Sequence, residues 1–132
     1  MKKIRIGVVG AGHLGRYHLQ KYRKIPECRL VGVADLVEEN ARKAADGCDC
    51  EVLTDYRGLL GKVDAVSIAV PTGVHHEVAS LFLKAGVDVL LEKPIATTLA
   101  EADELITLAE AKRLVFQIGF VERSRPSRPS GP

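Results

Sequence analysis

One stretch near the amino terminus limits the folds open to this chain more than any other: Lys3-Ile4-Arg5-Ile6-Gly7-Val8-Val9-Gly10-Ala11-Gly12-His13-Leu14-Gly15. Ile4, Ile6, Val8 and Val9 are apolar and β-branched, which suits a buried, pleated strand. Gly10, Gly12 and Gly15 follow at once and spell G-x-G-x-x-G. Leu14, Tyr17, His18 and Tyr22 then recur at helical spacing, so the glycines join a strand to a helix that runs to about Lys24 and stops before Pro26. Each glycine has a separate task in such a turn. Gly10 allows the sharp exit from the strand, Gly12 lets a pyrophosphate approach the backbone, and Gly15 lets the helix pack closely on the strand. The unpaired N–H groups of the first helical turn, His13 and Leu14 among them, face that anion along with the positive end of the helix dipole. An acid, Asp35, stands twenty positions after Gly15. That context separates a dinucleotide fingerprint from an αβ turn with incidental glycines.

The rest of the chain repeats the alternation. Strands are expected over 29–35, 51–53, 65–70, 88–92 and 114–120, and helices over 37–45, 56–60, 74–85 and 98–112. Pro71 and Pro94 close two of the strands, and Gly86 caps a helix. In the last helix Leu99, Ala102, Leu105, Ile106 and Ala109 form one apolar stripe, with acids early and Lys112 and Arg113 late. Strands alternating with helices predict an α/β fold, a doubly wound parallel sheet of Rossmann type with helices on both faces. Ligands of such sheets lie beyond the carboxyl ends of the strands. That directs attention to Gly10–Gly15, Asp35, Val70–Thr72, Glu92–Pro94 and the chain from Gly119 onward. Residues 1–123 read as one domain, and residues 124–132, made only of Ser, Arg, Pro and Gly, as a disordered tail.

Composition narrows the function classes. The 132 residues are 46% hydrophobic and 27% charged, as in a soluble globular domain. The net charge of +2 comes from Arg123, Arg125 and Arg128 against Glu122 near the end of the chain. No clustered positive charge remains for nucleic acid. No apolar run approaches a membrane span and the amino terminus lacks a signal-peptide pattern, so a cytoplasmic location and no membrane partner are expected. Cys28, Cys48 and Cys50 do not form a disulfide framework. Cys48-Asp49-Cys50 lacks a second pair at ligand spacing, so free thiols are expected rather than a metal half-site.

Three places carry chemistry. Asp35 can accept both hydroxyls of an adenosine ribose and would repel a 2′-phosphate, which favours NAD over NADP. It can equally cap the helix that follows. Glu92-Lys93-Pro94 comes directly after a buried strand, where a lysine can hydrogen-bond a substrate hydroxyl and help it lose its proton as hydride leaves. Pro94 restricts Lys93 to extended backbone; a snorkelling surface lysine is the alternative. In Val70-Pro71-Thr72-Gly73-Val74-His75-His76, Thr72 can cap the next helix. At most one of the two adjacent histidines can reach a ligand in the cleft.

These residues together resemble the amino-terminal half of the Gfo/Idh/MocA oxidoreductases. The resemblance covers residues 3 to about 123. It rests on the glycine fingerprint with His18 three positions after Gly15, on Val33-Ala34-Asp35, on Pro71-Thr72-Gly73-Val74-His75, and above all on Glu92-Lys93-Pro94. It implies that Lys93 is the catalytic lysine and that Glu92, Thr72 and His75, rather than His76, line the cofactor. It also implies a sugar or cyclitol substrate and hydride transfer to nicotinamide. Glu122-Arg123 is similar to the sugar-nucleotide 3-dehydrogenase branch. Family members continue into a second α/β domain that supplies the substrate pocket and usually the subunit contacts. The expectation is therefore a truncated, frame-shifted or deliberate fragment, with activity of the chain alone in doubt. It is either a dehydrogenase by lineage, a dinucleotide-binding module without turnover, or a non-functional fragment. The edge near Phe120 and Val121 is expected to be exposed and to favour self-association.

Overall fold

In the computed structural model, residues 3–91, 96 and 98–118 are described. Six strands form one sheet: β1 (Ile4–Val9), β2 (Cys28–Ala34), β3 (Glu51–Leu53), β4 (Ala65–Ile68), β5 (Asp88–Leu91) and β6 (Phe116–Ile118). Their order is β3-β2-β1-β4-β5-β6, and every neighbouring pair is parallel. The chain winds outward from β1 to β3, returns to the middle at β4, and winds outward the other way. β1 and β4 are therefore the strands between which the winding reverses. In a doubly wound sheet the crevice for a ligand opens there, at the carboxyl ends.

Helices cover both faces, as the strand patterns require. Alternate residues of one strand serve opposite sides. Val8 and Val33 pack with Leu19 of α1 (His13–Arg23) and with Ala41 and Ala44 of α2 (Glu38–Ala44). Val9, Ala34, Ile68, Val89 and Leu91 pack instead with Phe82 and Leu83 of α3 (His75–Lys84) and with Leu105 and Ala109 of α4 (Leu99–Ala111). Leu59, in the 3-10 turn Tyr56–Leu59, completes this second core. The α1/α2 side is built largely of alanine and valine, and the α3/α4 side of larger residues.

Two strand boundaries and one helix face differ most from the sequence expectation. β4 ends at Ile68 rather than Val70, because its neighbour β1 stops when Gly10 turns away; the last link is Ala69 N–H to the Val9 carbonyl at 2.8 Å. β6 begins at Phe116 rather than Leu114. Arg113 takes a left-handed φ of 56° and Leu114 N–H closes back on the Ala109 carbonyl, so these residues finish the helix. The apolar stripe of α4 is narrower than expected: Leu105 and Ala109 are buried, whereas Leu99 is 86% exposed and Ile106 39%. At roughly 100° per residue, Leu99 lies about 120° around the helix from Leu105, off the packed face. The tail 124–132, Phe120 and Val121 lie outside the described residues.

Candidate functional site

The carboxyl end of β1 runs into a turn whose shape depends on missing side chains. Gly10 has a φ of +97°, and a Cβ there would lie 2.5 Å from the Ala69 carbonyl oxygen. Gly15 fits only as glycine, since a Cβ would sit 1.7 Å from the Gly10 carbonyl oxygen. These contacts press α1 against the loop that it leaves. Gly12 is the opposite case: a Cβ there would meet nothing within 4 Å. It is the N-cap of α1, with extended backbone and no side-chain cap. The first intrahelical bond into this end is Arg16 N–H to the Gly12 carbonyl at 3.0 Å. The N–H groups of the turn before it, through His13, Leu14 and Gly15, have no intrahelical acceptor. An uncapped amide cluster beside open space is what an incoming anion needs.

Asp35 stands next to this cluster, one residue past the end of β2. Its Oδ2 accepts Ala11 N–H at 2.7 Å and its Oδ1 accepts Val37 N–H at 2.8 Å. The second bond is an Asx turn that leads the chain into α2, whose N-cap is Val37 rather than Asp35. Beside it, Gly10 N–H donates to the Ala34 carbonyl at 2.7 Å. The carboxylate is half-buried. Leu36, just beyond, is 88% exposed. A large apolar side chain turned to solvent at this edge is legible only in three dimensions.

Across the switch point, the chain after β4 carries the second group of expected site residues. Val70 borders the glycine loop: a Cβ on Gly10 would lie 3.2 Å from its Cγ1. Pro71 is exposed and Thr72 opens the 3-10 turn Thr72–Val74. His75 is buried, with 1% exposure, and its Nε2 lies 2.8 Å from the Val70 carbonyl oxygen. A carbonyl can only accept, so Nε2 carries the proton and donates. His75 thus holds the Val70 end of the loop from below. His76 points elsewhere, to Glu104 of α4 at 2.6 Å. Glu92 and Lys93 lie outside the described residues.

Sequence reasoning missed one polar contact beneath α1. Ser67, fully buried in β4, has its Oγ 2.5 Å from Nδ1 of His18, itself 2% exposed. Burial pushes the Tyr22 phenol up, and its hydrogen bond with Ser67 partly opposes this. A lone serine inside the apolar run Ala65-Val66-Ser67-Ile68 was the available signal. Cys28, Cys48 and Cys50 are free and half-buried, and burial above all pushes the Cys50 thiol up to about 11. Among the described residues no group of His, Cys, Asp and Glu is placed to hold a metal ion, and no helix is long and apolar enough to cross a membrane.

Known proteins share this fold. The profile of the oxidoreductase family with an NAD-binding Rossmann fold (Gfo/Idh/MocA) matches residues 4–120. UDP-N-acetylglucosamine 3-dehydrogenase of Acidithiobacillus ferrooxidans is 43% identical over 127 residues, which span 96% of this chain and 40% of that enzyme. Its solved structure superposes with a TM-score of 0.84 over 90% of this chain and 39% of that one, at 44% identity. Inositol 2-dehydrogenase of Rubrobacter xylanophilus is 36% identical over 95% of this chain and 37% of that enzyme. GenD2 of gentamicin A biosynthesis, solved in complex with NAD, has a TM-score of 0.84 at 27% identity, covering 90% of this chain and 35% of that one. The chain therefore spans about 40% or less of the length of these relatives.

Proposed function

The chain belongs to the Gfo/Idh/MocA oxidoreductase family, as its NAD-binding Rossmann domain, and from that premise we propose that it holds NAD for the dehydrogenation of a sugar or cyclitol hydroxyl. The observation that carries this reading is the pairing at the switch point: an uncapped α1 with open space over Gly12, and the Asp35 carboxylate beside it. The amides of the Gly12–Gly15 turn would hold the pyrophosphate. Asp35 would accept from the adenosine ribose, while Leu36 offers an apolar wall for the adenine. Val70, Pro71 and Thr72 would border the nicotinamide half, with His75 setting their position through the Val70 carbonyl.

A bound nicotinamide supplies the hydride acceptor. The protein's contribution to the chemistry would come from Lys93, which takes the hydroxyl proton, with Glu92 beside it in sequence. Such proton transfer contributes about 10²- to 10⁴-fold. NAD is favoured over NADP because a 2′-phosphate would meet the Asp35 carboxylate. Arg42, a cation on α2, the helix after Asp35, donates to Glu38 through Nε at 2.7 Å. The names of the relatives support a sugar nucleotide or inositol as substrate class. Three free thiols fit a reducing, cytoplasmic compartment.

Fluorescence titration with NADH and NADPH, of wild type beside Asp35→Ala, tests the cofactor assignment. The wild type should prefer NADH by about tenfold or more, and the substitution should narrow that gap. A wild type that binds neither at millimolar cofactor overturns the reading. A second reading, dinucleotide binding without turnover, rests on the same two features, the opening of α1 and the Asp35 carboxylate, which serve the cofactor and not the proton transfer. A panel of sugars, sugar nucleotides and cyclitols with NAD separates the two. Where turnover occurs, Lys93→Met should abolish it and leave NADH affinity in place.

A further inference from the structure

We propose that Asp35 is a positioning residue for the pyrophosphate loop, a latch that couples ribose and diphosphate recognition through one side chain. The inference rests on the dinucleotide reading above and adds to it a role that does not involve the ribose. Oδ2 accepts Ala11 N–H at 2.7 Å across 24 positions of sequence, a length in the range of a charge-assisted bond. Ala11 is only 2% exposed, so its N–H has poor access to water should the acceptor be lost. Leaving such a donor unmade is costly.

The loop needs this restraint. Gly10 and Gly12, on either side of Ala11, lack side chains, and glycine backbone loses the most conformational freedom on ordering. Gly10 is tied to β2 by its bond to the Ala34 carbonyl. Ala11 is tied to the next residue of the same segment by the carboxylate. Oδ1 is fixed in turn by Val37 N–H at 2.8 Å, which stops the carboxylate from rotating away. The amides that open α1 follow directly, so their aim depends on where Ala11 is held. A carboxylate offers about four lone-pair positions. Two are occupied here, and two remain for a ribose diol. Filling the second pair does not release the first, so both halves of the adenosine diphosphate are read from one fixed group. Changing this residue to admit NADP should therefore also weaken the diphosphate site.

A ligand that lacks the ribose diol separates the two roles. Binding of NADH and of its analogue with a 2′,3′-dideoxyadenosine half is measured by calorimetry on the full chain, for wild type, Asp35→Asn and Asp35→Ala. The isosteric Asp35→Asn presents an NH2 group to one of the two N–H donors and serves where Asp35→Ala does not fold. Circular dichroism melting of each variant shows that the fold is retained. The latch predicts that the dideoxy analogue binds either folded variant more weakly than wild type, by on the order of tenfold, with a larger loss for NADH. It also predicts that the Ala11 amide proton, shifted downfield in wild type by the carboxylate, moves upfield in Asp35→Asn without any ligand present. Equal affinity of wild type and variants for the dideoxy analogue overturns the latch and leaves Asp35 as a ribose acceptor only. An Ala11 resonance that does not move overturns it as well. A wild type that binds neither ligand overturns the dinucleotide reading, while the Ala11 resonance still decides the latch.

Discussion

Helices α1 and α4 each follow a parallel strand in the chain, yet their first turns are finished in opposite ways. At α4, the Thr98 hydroxyl accepts Glu101 N–H at 3.1 Å, and Glu101 places an acid in the first turn. The helix answers its own unpaired amides and its own dipole. At α1, the N-cap is Gly12, which makes no side-chain cap bond, and the first turn has no acid. One end is complete without a ligand and the other is complementary to an anion. The cores beneath them differ in the same sense. Phe82, Leu83, Leu91 and Leu105 fill the α3/α4 side, whereas alanines line much of the α1/α2 side. The larger core lies under α3 and α4, and the proposed anion site lies at the opening of α1.

The comparison breaks first if the large core does not dominate stability. Phe82 is fully buried, so Phe82→Ala should destabilise the domain by about 4 kcal/mol. Urea unfolding measures it, and a loss under about 1 kcal/mol would contradict the division. Gly15→Ala should cost about 3 kcal/mol, the upper end of overpacking, since the clash is with backbone at 1.7 Å. That substitution should disturb both stability and NADH binding, because the close approach that it blocks also aims the amide cluster.

Gly12→Asp sharpens the contrast by giving α1 the finish that α4 already has. Its carboxylate can accept the N–H groups of Leu14 or Gly15, and nothing within 4 Å obstructs its Cβ. Relative to glycine such a cap is worth only a few tenths of a kcal/mol, so the unfolding midpoint should hold or rise slightly. NADH affinity should fall by about a hundredfold, because a fixed negative charge then stands where the diphosphate is proposed to bind. A variant that is stable but still binds NADH as tightly as wild type would show that the α1 opening is not the anion site.

How much of this was readable beforehand follows from the range of each interaction. The glycine fingerprint, the α/β alternation and the place of Asp35 were legible, because spacing along a few residues dictates them. The Asp35–Ala11 bond was not, since it spans 24 positions and its donor is a backbone N–H that any residue would supply. Leu99 was misread as core because an apolar stripe is periodic whether or not anything lies opposite its end. β4 was drawn too long because its length is set by where Gly10 turns the neighbouring strand away, a fact belonging to another segment. His75 was read as a cofactor-lining side chain from its motif. Its burial beneath Val70 depends on the β4–α3 loop folding over it. The roles given to Glu92 and Lys93 rest on sequence, as both lie outside the described residues.

The smallest effect is expected at the other end of the comparison. Thr98→Ala removes the one side-chain bond to Glu101 N–H at the start of α4 and leaves an exposed helix end that water can reach. A lost cap of this kind costs about 1 kcal/mol, and Glu101 retains its favourable place near the dipole. The first-turn amides of α1 are on a different helix, packed against the opposite face of the sheet, and share no bond with Thr98. Urea unfolding should therefore register the loss while the NADH titration curve stays where it was. A parallel fall in NADH affinity would mean that the two helix ends are coupled, and that binding and stability are less divided than the caps imply.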